Sequence, residues 1–139
     1  MHRKLLALDL HVPFVVHKSM NTKPILSVIF FKSLSKREPV REWLKGLDKD
    51  ERKIIGEEIK LVQFRWPLGM PVVRKIDTGL WEVRIHLNKK NLIARVFFTV
   101  HIHEMILLHG FIKKSQKTPL KEISLARKRK IQYLSEVRE

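Results

Sequence analysis

The order of segments predicts an α+β protein: a strand, two helices, four strands and a last helix. Three patterns carry that order. Leu80 to Leu87 alternate, with Trp81, Val83, Ile85 and Leu87 on one side and Glu82, Arg84 and His86 on the other. That is the period of a half-buried strand. Val40, Trp43, Leu44 and Leu47 recur at helical spacing just after Pro39, and Ile55, Ile59, Val62 and Trp66 do so further on. Polar turns then separate apolar runs from Val72 to Ile112, which predicts an antiparallel meander.

Each element has its own signal. Pro24 precedes the β-branched and aromatic run Ile25 to Phe31, a first strand. Pro39 suits the first position of a helix, where its missing N–H costs nothing. Asp48 to Glu51 has the form of a capping arrangement and starts a second helix, which Pro67 stops. Two helices joined so tightly should form an antiparallel hairpin. Strands are expected over Val72 to Ile76, Leu80 to Leu87, Leu92 to Val100 and Glu104 to Ile112. Thr118 should cap a final helix beginning at Pro119, with Leu120, Ile123, Ala126 and Leu134 inward and Arg127 to Lys130 as a basic band. Helices would then cover one face of the sheet and leave the other free for Glu82, Arg84 and His86.

The 139 residues suffice for one domain with a real core. The domain is expected over residues 23–139, with residues 1–22 as an extension and Met20 as an alternative start. Lys and Arg number 29 against 14 Asp and Glu, an excess that points to a polyanionic partner, nucleic acid before any other. The absence of cysteine excludes disulfides, thiolate metal sites and cysteine nucleophiles. No apolar run reaches the roughly 18 residues of a membrane span, and the Leu5 to Leu8 run is broken by Asp9, His11 and Pro13 before any signal-peptide cleavage site. A cytoplasmic protein is expected.

Candidate chemistry gathers in the meander. His101-x-His103 could share a face, but a third metal ligand is missing from the pattern. The carboxylates Asp77, Glu82 and Glu104 are isolated, whereas metal-dependent nucleases cluster theirs. RNA cleavage here would therefore use the RNA's own 2′-hydroxyl, with cations stabilising the charge at phosphorus and a proton moving at each end. Arg84, Arg95, Lys113 and Lys114 supply cations, and Arg74, Lys75, Gln116 and Lys117 extend the RNA-binding set with His86. Arg95 interrupts an apolar strand, so it either pairs with a carboxylate or is held towards a phosphate. His109 sits in an apolar run, and it is either a hydrogen-bonded core residue or catalytic.

Three segments carry a resemblance: Leu80-Trp81-Glu82-Val83-Arg84-Ile85, Ala94-Arg95-Val96-Phe97-Phe98, and Leu107-Leu108-His109-Gly110-Phe111-Ile112-Lys113-Lys114-Ser115-Gln116-Lys117-Thr118-Pro119. Over about residues 25 to 135 the chain resembles the phage-derived HigB branch of the RelE/ParE toxin superfamily, from type II toxin–antitoxin modules. The resemblance implies a RelE-like fold, two helices packed on a curved antiparallel sheet, and a ribosome-dependent mRNA endonuclease with no cofactor. Its implied partners are the ribosome, mRNA and an antitoxin of helix-turn-helix type. Arg84 and Arg95 match basic strand residues of the RelE-type groove, and Lys114, beside Lys113, matches a cation just beyond the last strand.

Two departures accompany the match. Glu82 stands where RelE-like enzymes can carry lysine, and the one tyrosine, Tyr133, falls far down the last helix. The general base could then be His109 or His86. A non-enzymatic reading, such as an inhibitor acting on gyrase or a module that only binds RNA, remains the alternative.

Overall fold

A computed structural model describes residues 4–5, 23–89, 91–114 and 117–138. The elements run β1 (Lys4–Leu5), β2 (Ser27–Phe30), α1 (Pro39–Lys45), α2 (Lys49–Arg65), β3 (Val73–Asp77), β4 (Leu80–His86), β5 (Ile93–His101), β6 (Glu104–Lys113) and α3 (Leu120–Val137). The architecture is α+β, as the segment order predicts, and is consistent with a RelE-like fold. Apart from Lys4–Leu5, residues 1–22, expected to be an extension, lie outside the described residues.

The strands make one sheet in the order β1-β2-β6-β5-β4-β3. The meander β3 to β6 is antiparallel throughout. The first long strand is not part of that pattern: β2 lies parallel to β6, with Ser27 opposite Glu104 and Phe30 opposite Leu107. The long excursion through both helices and three strands lets β2 return alongside β6 in the same direction.

The capping pattern at α2 is real, since Asp48 Oδ1 accepts the Glu51 N–H at 2.9 Å. Val40 and Leu44 from α1 and Ile55, Ile59 and Val62 from α2 are buried against Val83, Ile85, Val96 and Phe98 of the sheet. Both helices pack chiefly on strands, α1 on β6 and β2 and α2 on β4, rather than on each other as a hairpin. The Trp66 ring, past the end of α2, meets Trp81 edge-on at 5.0 Å and closes this face.

The second face is not left free. Ala126 and Tyr133 of α3 are buried with Ile29, Phe31, Leu80, Phe97, Ile106 and Leu108, so α3 covers much of it. The reason is written in β5, whose first seven residues are all buried. A strand buried on both sides reads as a continuous apolar run rather than an alternation.

Two details of α3 also differ from expectation. Pro119 is the N-cap with no side-chain cap hydrogen bond, because the Thr118 hydroxyl is engaged elsewhere. Leu120 is 78% exposed. Glu122 faces the sheet in the first turn, and Leu120 lies about 200° around the helix from it, at 100° per residue. The basic band serves as an anchor: Arg127 donates to Asp77 at 2.8 and 3.0 Å, Lys130 to the Thr78 carbonyl at 2.9 Å, and Arg129 to the Leu108 carbonyl at 2.8 Å.

Candidate functional site

The residues of interest lie on the α3 side of the sheet, at the end that α3 does not reach. They alternate with Val83, Ile85, Ala94 and Val96, which point into the α1–α2 core. Cross-strand register sets them in rows. His86 is opposite Ile93, which is opposite Lys113. Arg84 is opposite Arg95, which is opposite Phe111. Glu82 is opposite both Arg74 and Phe97, and Phe97 is opposite His109. The strand pairing thus brings Arg74, Arg84, His86, Arg95 and Lys113 to one surface. Lys114 and Lys117 follow β6 as exposed residues.

Lys75 is placed differently. It is opposite Trp81, whose ring packs on the α2 side, so Lys75 belongs to the other face. Gln116 lies outside the described residues.

Arg95 is wholly buried, and its guanidinium lies 5.7 Å from the centre of the Phe111 ring. Burial and the neighbouring Arg84 push its pKa below the ordinary arginine value, Glu82 opposes the shift, and Arg74 adds to it. An arginine so shifted still stays cationic. Two like charges opposite each other on adjacent strands repel. Glu82 and the π-face of Phe111 offset that repulsion here. So the carboxylate of the first alternative for Arg95 exists, but it is shared, because Glu82 Oε1 also lies 3.6 Å from Arg84 Nε.

Glu82 is also wholly buried. One oxygen, Oε2, accepts the Thr118 hydroxyl at 2.7 Å. The other, Oε1, lies 3.6 Å from Arg84 Nε. The sequence pattern placed Glu82 on a free face and gave no sign of Thr118 as its partner, 36 residues away. A carboxylate two residues before an arginine in an otherwise apolar strand was the signal available.

His109 reaches this side because β6 carries a bulge. Pairing slips between Phe97 and Phe98, so Leu108 and His109 both lie on the α3 side. The imidazole stacks with Phe111 at 5.7 Å and Phe97 at 6.2 Å. Nε2 is 3.3 Å from both Glu122 oxygens and Nδ1 is 3.4 Å from Arg129 Nη1. A guanidinium only donates, so Nδ1 accepts and Nε2–H donates to Glu122. Burial lowers the His109 pKa, Glu122 partly restores it, and Arg129 lowers it again. Both nitrogens are committed to α3, which makes His109 a clasp between helix and sheet. His86, by contrast, is exposed beside Arg84.

Tyr133 cannot serve this surface. Its ring meets His101, six residues along β5 from Arg95, which at about 3.3 Å per residue is roughly 20 Å away. Burial and Glu104 push its hydroxyl up to about 12. His101 and His103 flank the β5–β6 turn at that same far end. Among the described residues no group of three His, Asp or Glu is arranged to hold a metal ion, and no helix is long and apolar enough to cross a membrane.

A small α+β fold that gathers arginines and lysines on one face of its sheet presents positive charge suited to a polyanion. The sequence profile described as phage derived protein Gp49-like (DUF891) matches residues 42–130, and the chain belongs to that family. It is a toxin-like family of RelE/HigB type. No curated protein matches the sequence.

Proposed function

We propose that the protein is the toxin of a type II toxin–antitoxin module, of the HigB branch, and that it cleaves mRNA on the ribosome. The observation that supports this reading most is the cross-strand register, which sets Arg84 opposite Arg95 and Arg74 opposite the buried Glu82 on one face of the sheet. Such a floor has an excess of fixed positive charge, and it costs no reorganisation when negative charge develops above it.

In this mechanism the 2′-oxygen attacks the adjacent phosphorus and the bond to the 5′-oxygen breaks. Arg84 holds the non-bridging oxygens as charge builds on them, and the buried Arg95 guanidinium on the next strand adds its positive charge from beneath. His86, one pleat from Arg84, accepts the 2′-hydroxyl proton, and Lys114 protonates the departing 5′-oxygen. The products are a 2′,3′-cyclic phosphate and a 5′-hydroxyl. The guanidiniums supply the charge that a divalent cation would bring, so the reaction needs no metal. His109 keeps the floor in place rather than moving a proton, because α3 occupies both its nitrogens.

The partners that follow are the ribosome with its mRNA in the cytoplasm, and a neutralising antitoxin of helix-turn-helix type encoded next to the gene. The test adds purified protein to a translating extract and maps mRNA ends. Cuts within codons, dependent on ribosomes, support the reading. Intact mRNA overturns it, and a supercoiling defect in that case points to the gyrase-directed alternative.

A further inference from the structure

We infer that Glu82 and Thr118 are positioning residues of this groove, acting through its cations rather than on the RNA. The inference rests on the endonuclease reading above. Glu82 has two oxygens with two separate duties. Oε2 holds the Thr118 hydroxyl at 2.7 Å, in a contact from which water is excluded. Oε1 faces Arg84 Nε at 3.6 Å, and the same carboxylate acts on Arg95.

The topology shows what the first contact does. The basic segment after β6 starts at Lys113, set opposite Ile93 of β5. Its far end is Thr118, fastened to β4. Strand spacing of about 4.8 Å puts β4 roughly 10 Å from β6, so this bond holds Thr118 two strands away from the end of β6. Thr118 therefore fixes where Lys117 and the first turn of α3 stand relative to Arg95. A threonine spent as a helix cap could not do this, and the helix has no side-chain cap.

The second contact has a different role. Arg84 and Arg95 are forced opposite each other by register. A shared carboxylate keeps both in place before any phosphate arrives. Glu82 thus places a negative charge among the cations and orders them.

Two variants separate these duties. Thr118→Val removes the latch and keeps the charge. Glu82→Gln removes the charge, yet its amide oxygen still accepts from Thr118. For Thr118→Val, hydrogen exchange over residues 117–123 should speed up, and kcat on ribosome-bound mRNA should fall about tenfold with KM little changed. For Glu82→Gln, exchange there should stay as in the wild type. KM should fall, because the groove gains a net positive charge, while kcat falls about tenfold as Arg84 loses its partner. Thr118→Ser, which keeps the hydroxyl, should restore both readouts. Unchanged exchange in Thr118→Val overturns the latch. Wild-type kcat in both variants overturns the positioning role while the endonuclease reading stands. A wild-type chain that cleaves nothing overturns that reading first, and the exchange result still decides the latch. Should Thr118→Val not fold, the joint fall of KM and kcat in Glu82→Gln decides alone.

Discussion

The Trp43 ring lies directly on Gly110. A Cβ built on Gly110 would sit 2.3 Å from Trp43 Cζ3 and 2.5 Å from Cε3. Trp43 belongs to α1 and Gly110 to β6, so this contact seats the short helix on the sheet. It also explains the middle residue of the His109-Gly110-Phe111 run. His109 and Phe111 face α3 and the groove, and Gly110 faces the opposite way.

Gly110→Ala should therefore destabilise the fold by about 2 kcal/mol, the range for forcing a methyl group into a packed core. An aromatic ring held between helix and strand has little room to retreat. Urea unfolding measures the loss. A midpoint equal to the wild type would show that α1 shifts without cost.

Removing the floor of the groove should remove activity while the fold survives. Arg95→Ala is expected to lower the cleavage rate by about 10²- to 10³-fold, the range for losing one preorganised charge donor. Arg84→Ala combined with Lys114→Ala should go further and abolish growth arrest. Induced expression and circular dichroism check both halves. A folded triple variant of Arg84, Arg95 and Lys114 that still arrests growth would rule out the mechanism.

The His109 clasp should make stability depend on pH. Its pKa is lowered in the fold, first by burial and then by Arg129, against the pull of Glu122. The unfolded chain then takes up a proton near pH 6.5 that the native chain refuses. Stability is fully present above about pH 6.5 and is lost as pH falls through the folded pKa. Urea midpoints of the wild type should drop between about pH 7.5 and about pH 5 more than those of His109→Gln. Parallel curves for the two proteins would falsify the assignment.

At the opposite end of the sheet, Ile102 occupies the β5–β6 turn with φ of 60°, exposed. A β-branched side chain in the left-handed region is strained. Ile102→Asn should gain about 1 kcal/mol, since asparagine accepts that conformation more readily. Thermal unfolding reads the gain. Cleavage should be unaffected, because the turn is roughly 20 Å from Arg95.

Much of the local structure was legible in the residues themselves. Pro39, the Asp48–Glu51 cap, the alternation of β4 and the turns of the meander are short-range patterns, and each was met in the fold. They put Arg84 and His86 on one side of β4 and Arg95 in the middle of β5. What they could not show were relations between distant segments. The parallel pairing of β2 with β6 depends on where the chain returns. The burial of β5 on both faces was visible as an unbroken apolar run, but only α3 docking says what covers the second face.

The sequence by itself determined the elements, the basic excess and the cations offered to a polyanion. Tertiary structure decided how those cations are held. A bulge in β6 turned His109 towards α3, where Glu122 and Arg129 take both its nitrogens. The fold moved Thr118 from helix cap to partner of a buried carboxylate, and it put Lys75 on the wrong face for the groove. The physical reason is common to all of these. Periodicity records which side of its own element a residue is on, whereas a hydrogen bond between residues 36 positions apart depends on packing that no local pattern encodes.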